Sequence, residues 1–274
     1  MAHPQIAAFS RLANGGQAPA RALYGQASKL SRTMHDVRYN EVRDEIVVPV
    51  PYADAILTFR GGADGQEAPI RIIQGPKTGE VTMRLDIDPI HNEIFVPDGS
   101  RVRVYPLDAN GDVAPIRILE GPDTQLANVE SLAVDPVNNI LVVGFHKNKS
   151  ANNPDGTILV FNRTDSGNVK PRAVIHGPKT GIIRINQMAV YPPKRLIVAT
   201  MPGNVDMMEP PGAFLGIWTY DDQGDIAPKW KLPVGPKTGL RKPFGVTLNP
   251  KDKEVIISDM RNNGVMVFSV PEVF

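Results

Sequence analysis

The chain has 274 residues, with 30 Lys+Arg against 29 Asp+Glu, 42% hydrophobic residues and no Cys. A formal net charge of +1 offers no field to hold nucleic acid or an anionic membrane surface, and without cysteine there is no disulfide, thiolate chemistry or Cys-held metal. No apolar run reaches the ~18 residues of a membrane helix, and 24 Gly with 26 Pro argue against a helical bundle.

In chain order, Met1-Ala2-His3-Pro4 lacks a basic stretch leading into an apolar one. This chain therefore carries no secretory signal and reads as soluble, with a periplasmic or secreted home only if a leader was removed. Ile6 to Phe9 resembles a third strand without inner strands of its own, and Ala20 to Tyr24 is an outer strand led by Pro19. A unit then recurs. Its second strand is Glu45 to Val48, Glu93 to Val96, Ile140 to Val143, Leu196 to Ala199 and Val255 to Ser258. Its third is Ile56 to Phe59, Val102 to Tyr105, Ile158 to Phe161, Leu215 to Trp218 and Val265 to Phe268. From the second copy on, a first strand is plain as well: Leu85 to Pro89, Leu132 to Pro136, Met188 to Pro192 and Val246 to Pro250. Hairpin signals such as Ala109-Asn110-Gly111-Asp112 follow the third strands. Pro-led outer strands (Ala68-Pro69-Ile70-Arg71, Ala114-Pro115-Ile116-Arg117) then run into Gly-Pro at 75–76, 121–122, 177–178 and 235–236, with Gly25 as a degenerate first copy.

Repeats of about 40–50 residues made of short strands are propeller blades. The expected fold is an all-β β-propeller of four-stranded blades, with five blades preferred over six. It is read as one domain, 1–274, its ring closed by strand 20–24 pairing with the Val265 to Phe268 blade, which leaves no exposed edge.

The stretches Ala-Val-Asp-Pro-Val-Asn-Asn at 133–139 and Asn-Glu-Ile-Phe-Val-Pro-Asp at 92–98, with the Ala-Pro-Ile-Arg-Ile outer strands, resemble bacterial NHL-type and gluconolactonase-type β-propellers over nearly the whole chain. That resemblance implies fold more than function, because propellers serve as hydrolases, lyases, binding modules and scaffolds. Its lactonase-like members hold a calcium or similar ion in the central tunnel, on Glu, Asn and Asp from several blades.

In a propeller the inner strands line that tunnel. The position leading into them reads Met34, Met83, Glu130, Asn186 and Phe244 through the five copies. The next reads His35, Arg84, Ser131, Gln187 and Gly245. Pure scaffold positions would be uniform, and these are not. Glu130 and Asn186, in adjacent blades, are expected to converge on the axis. Their oxygens, with Asp259 from a second-to-third-strand loop, suit Ca²⁺ or another divalent cation; the plain alternative is a water-filled tunnel with Glu and Asn bonded to each other. His35, Glu130 and Asp98 are the catalytic candidates, His35 as a base near neutral pH. Met34, Met83, Arg84, His146, Gln187, Met201 and Phe244 are the substrate-binding candidates. His3, His91 and His176 fall away from this mouth.

Insertions at 147–155 and 201–213 lengthen two second-to-third-strand loops beside Glu130 and Asn186, and the second reads as a lid. Gly-Pro-Lys-Thr-Gly, at 75–79, 177–181 and 235–239, lacks the strand–loop–helix setting of a phosphate cradle and reads as a repeated turn. The outer-strand arginines read as solvated surface charge. Asn148-Lys149-Ser150 and Asn162-Arg163-Thr164 match the glycosylation pattern. The expected function is a small-molecule hydrolase of lactones, esters or phosphoesters, assisted by a divalent cation and needing no organic cofactor. The alternative is a non-catalytic propeller that binds a ligand or protein. The expected partner is a small molecule, with no nucleic acid or membrane, and the expected state is a monomer.

Overall fold

A computed structural model describes residues 4–148 and 152–274. His3 and the Lys149-Ser150 part of the first glycosylation pattern lie outside them. The chain is all-β and forms the five blades of a β-propeller, with only short 3₁₀ turns as helix. No helix of the described residues is long and apolar enough to cross a membrane.

An antiparallel pair, β1 (Gln5–Ala8) and β2 (Arg21–Tyr24), comes first. The first blade is β3 (Arg38–Asn40), β4 (Glu45–Val50), β5 (Ala55–Arg60) and β6 (Arg71–Gln74). The second is β7 (Asp86–Asp88), β8 (Glu93–Asp98), β9 (Arg101–Pro106) and β10 (Arg117–Glu120). β11 (Val129–Asp135), β12 (Ile140–Phe145), β13 (Thr157–Asn162) and β14 (Ala173–His176) make the third. β15 (Gln187–Tyr191), β16 (Leu196–Met201), β17 (Phe214–Thr219) and β18 (Trp230–Pro233) make the fourth. The last sheet has three strands, β19 (Pro243–Asn249), β20 (Glu254–Asp259) and β21 (Gly264–Ser269). Contacts gather into two compact units, one of residues 1–98 and 103–117, the other of 99–102 and 118–274.

Every blade is a meander, its antiparallel strands lying side by side in chain order. β3 and β7 are only three residues long and stop opposite Val47 and Phe95. Two residues further along the second strands stand Pro49 and Pro97, which have no N–H for a further rung. β11 and β19, whose neighbours lack such a proline, run to seven residues. β4, β5, β8, β12, β13, β16 and β17 are buried on both faces over most of their length, which is why they read as continuous apolar runs rather than alternating ones. Ile158, Val160, Ile197, Ala199, Phe214 and Trp218 belong to one core cluster of the second unit.

The Gly-Pro turns are architecture, as their repetition predicts. Gly75, Gly121 and Gly177 have φ of 146°, 119° and 131°. An added Cβ at each would come within 2.4–2.6 Å of Asp112, Asn168 or Asp225, the residue after the next hairpin's glycine. Those side chains clasp the turn: Asp112 accepts from Lys77 N at 2.7 Å, Asn168 from Asp123 N at 2.7 Å and Asp225 from Lys179 N at 2.6 Å. Beside each clasp an outer strand bridges in parallel to the hairpin glycine, as Ile73 to Gly111, Leu119 to Gly167 and Ile175 to Gly224.

Leu23 of β2 makes the same bridge to Gly65, and the register Ile6↔Leu23 repeats Ile56↔Ile73 of the first blade. The N-terminal pair therefore has the form of a blade's outer half, with β1 in the place of a third strand, where the sequence had already put Ile6 to Phe9. At the other end of the chain, β21 is the last strand of its sheet, and Val265 and Val267 on it are 69% and 50% exposed.

One expectation for the outer strands is corrected. Arg71 and Arg117 are not solvated decoration: they pair with Glu45 at 2.7 Å and Glu93 at 2.6 Å, the buried first residues of β4 and β8. A strand-leading glutamate inside a blade needs a counter-charge, and the arginine across the third strand is the one in reach.

Candidate functional site

In the second unit, β11 and β19 share a defect in their ladders. Pairing with the second strand skips one residue between Val129 and Ser131, and one between Pro243 and Gly245. The skipped residues are Glu130 and Phe244. A bulge frees its extra residue from the ladder and re-aims the side chain. Ser131, Gln187 and Gly245 pair with Gly144, Thr200 and Ser258, the same place on each second strand. Glu130, Asn186 and Phe244 are thus equivalent in space as they are in the repeat.

Glu130 keeps a quarter of its side chain exposed, while His146 behind it has none, with Nε2 3.9 Å from Glu130 Oε1. Two residues ahead of Asn186, Arg184 is only 8% exposed. Its guanidinium carbon lies 5.2 Å from the centre of the Phe244 ring. Among the described residues its Nε and Nη1 have no hydrogen-bond partner. Burial pushes the Arg184 pKa down, against the pull of the Glu130 charge. Lys242, one residue ahead of β19, is also buried, and its Nζ donates to the Met207 carbonyl at 2.5 Å and more distantly to that of Asn204 at 3.5 Å. Burial and the nearby Arg184 charge push the lysine down, and Asp206 pulls it partly back.

The long insertion lies against this group. Besides holding Lys242, Asn204 is bonded to Asn152 of the other insertion at 3.1 Å, and Glu209 pairs with Arg241. The two insertions meet, as expected from their common face. Met207 and Met208 are 36% and 61% exposed on the longer one.

Other candidates have structural work instead. Asp259 Oδ2 accepts the backbone N–H of Arg241 and Lys242 at 2.8 and 2.9 Å, and Oδ1 accepts those of Arg261 and Asn262 at 3.0 and 2.9 Å. Both oxygens are committed to shaping the loops around β19 and β20. Asn186 Nδ2 donates to the Phe244 carbonyl at 2.8 Å, and Gln187 Oε1 accepts from Val246 N at 2.8 Å. These amides tie the fourth blade to the bulge of the last sheet, so Gln187 is a strut rather than a substrate contact. Met201 is corrected outright: it is fully buried in the same core cluster as Ile182, Ile185 and Phe214, because it is the last rung of β16 and not the first residue of the lid.

The first unit holds the remaining candidates. The His35 side chain is exposed, and its carbonyl accepts from Arg84 Nη1. Asp98 is buried and paired with Arg103 at 2.6 Å; Arg103 in turn donates to the Thr78 carbonyl at 3.1 Å and so braces a Gly-Pro-Lys-Thr-Gly turn. Met34 packs partly buried against Val48 and Leu57, and Met83 is exposed. Here a balanced group surrounds the first strands: Arg38 lies 3.2 Å from Asp36 and 2.8 Å from Asp86, with Arg84 beside them. Burial raises the Asp36 pKa, and the two arginines oppose it.

Arg184 and Lys242 were missed in the sequence. The available signal was a lone charge within Ile182-Ile183-Arg184-Ile185, an apolar run where a cation has no packing reason to be. At the far end of the same first strands, Tyr191, Pro192, Pro193, Leu248 and Pro250 line an apolar cleft of about 400 Å³ that holds no charged side chain. Among the described residues no three His, Asp or Glu side chains gather as a metal group. No protein-family model matches the chain, and no curated protein is significantly similar to it.

Proposed function

We propose that the chain is a small-molecule hydrolase of lactones, esters or phosphoesters, working at the mouth formed by Glu130, Arg184 and Phe244. The observation that carries this is Glu130, lifted from its ladder by a bulge, a quarter exposed to solvent, with an imidazole behind it and guanidinium donors alongside. Glu130 takes a proton from water as the water oxygen attacks the acyl carbon or phosphorus. Arg184 N–H groups hold the oxygen that gains charge, and the proton passes from Glu130 to the departing alkoxide. His146 is too buried to touch substrate and acts as a positioning residue for Glu130.

The ion that the lactonase resemblance implies does not fit the donors expected to hold it. Both Asp259 oxygens are committed to backbone N–H groups, which leaves the Glu130 carboxylate and the Asn186 amide oxygen of that set against a calcium shell of six or more oxygens. No step is routed through a metal.

Assay against a panel of lactones, aryl esters and aryl phosphoesters tests the proposal. Glu130→Gln keeps the shape and should lower kcat/KM by about 10²–10⁴-fold, with the melting temperature nearly unchanged. Full activity in that variant refutes the catalytic role. A non-catalytic ligand-binding propeller is the second reading, favoured by the burial of His146, and stands if wild type turns over nothing in the panel.

A further inference from the structure

We infer that the ligand of this mouth carries an oxyanion, a carboxylate or a phosphate group, held by the Arg184 guanidinium with Lys242 alongside. This presupposes that the mouth binds a ligand, and it adds the chemical class.

A buried guanidinium is costly unless its fork of donors is met, and the natural partner is a planar or tetrahedral oxyanion. Elsewhere in the molecule the charge is met from within, although Arg71 Nε also has no hydrogen-bond partner among the described residues, so Nη1 is what sets Arg184 apart. Arg38, Arg71, Arg103 and Arg117 each have a carboxylate oxygen at 2.6–3.2 Å. Arg184 is more than nine-tenths buried, yet its Nε and Nη1 have no hydrogen-bond partner among the described residues. The two atoms point to different sides of the guanidinium, so each is a separate donor position; the parallel pair is Nε with Nη2, as in Arg60 against Glu67 at 2.7 Å. The guanidinium carbon stands over the Phe244 ring, 5.2 Å from its centre, a cation–π contact.

A second buried cation holds the equivalent position in the next sheet, Lys242 standing two residues ahead of Phe244 as Arg184 stands two ahead of Asn186. Lys242 Nζ has two carbonyl partners, those of Met207 and Asn204, and neither is charged. Arg184 and Lys242 are near enough to repel. Two cations desolvated together cost stability unless an anion arrives to offset them, and a ligand that does so binds with a charge-assisted pair in a dry setting. Among the described residues, Glu130 is the carboxylate whose charge acts on Arg184, and the chemistry proposed above requires that carboxylate to face water.

Calorimetry on the full chain at fixed ionic strength, with chloride as the reference, tests this using inorganic phosphate and acetate as separate probes. Saturable binding of one or both in wild type is expected. Phosphate alone points to a phosphate-bearing ligand and acetate alone to a carboxylate. Arg184→Met should weaken that binding at least tenfold, Arg184→Lys less, and Lys242→Met by a smaller factor. Glu130→Gln should retain or tighten it even where hydrolysis is lost, so failure of the catalytic proposal and failure of the anion site give different results. If neither probe binds wild type saturably, or if the Arg184 variants bind as wild type does, the inference is overturned. Should Arg184→Met fold poorly, the Arg184→Lys and wild-type titrations decide alone.

Discussion

Arg38 and Arg184 lie near the starts of first strands in different units, and their surroundings are opposite. Arg38 is held between two carboxylates at 3.2 and 2.8 Å, in a group of two acids and two arginines. Arg184 is also buried, has a second cation as a neighbour, and has no hydrogen-bond partner at Nε or Nη1 among the described residues. A fold that can balance buried charge in one place, and does not in another, marks the second place as the one shaped for something outside the chain. Charge type alone would not separate them, since both are arginines in strand-rich segments.

The largest expected effect comes from breaking the balanced side. Arg38→Met leaves Asp36 and Asp86 together without their shared counter-charge and should cost about 3–5 kcal/mol, read from urea denaturation. The same substitution at Arg184 should leave stability unchanged or raise it, because it removes a desolvated charge that has no close ion pair. Equal losses at the two positions would erase the distinction.

Asp259→Ala should come next, at roughly 2–4 kcal/mol, because it strips acceptors from four backbone N–H groups. A metal-ligand role would instead make the loss depend on added cation. Turn glycines give a smaller and sharper test. Gly75→Val meets Asp112 at a φ of 146° and should cost about 1–3 kcal/mol. Gly235 has φ 142° but nothing within 4 Å of an added Cβ, so Gly235→Val should cost measurably less.

The smallest effect is electrostatic. The folded state lowers the Lys242 pKa from its ordinary 10.5, so folding favours the neutral amine. The group therefore destabilises while charged, below its folded pKa, and that penalty is relieved as pH rises through it towards 10.5. Wild type should gain melting temperature on Lys242→Met across that alkaline window. Arg184 and Asp206 are the charges facing the amine, and Arg184→Met should shrink the gain.

Much of this was legible in the sequence, and the reasons are local. Repeat spacing located every blade, and aligning Glu130, Asn186 and Phe244 by repeat matched the observed register because equivalent turns fix equivalent rungs. The non-uniformity of those positions pointed to the strand ends where Arg184 and Phe244 meet. What stayed hidden were features decided by neighbours in space. A bulge is a property of two strands, so nothing in Val129-Glu130-Ser131 announces one. Met201 reads like the start of a polar loop until its partner Phe214 extends the ladder. Arg71 and Arg117 look solvated until Glu45 and Glu93 are seen beneath them.

The open flank of the last sheet has a kinetic consequence. In the fourth blade, β17 lies between two strands and its residues up to Trp218 are buried, whereas β21 ends its sheet with Val265 and Val267 largely bare. Amide protons are protected by what must come apart before water reaches them. Those of β21 should therefore trade for deuterium long before those of β17, and a mass-resolved time course would show isotope entering the molecule from this end first.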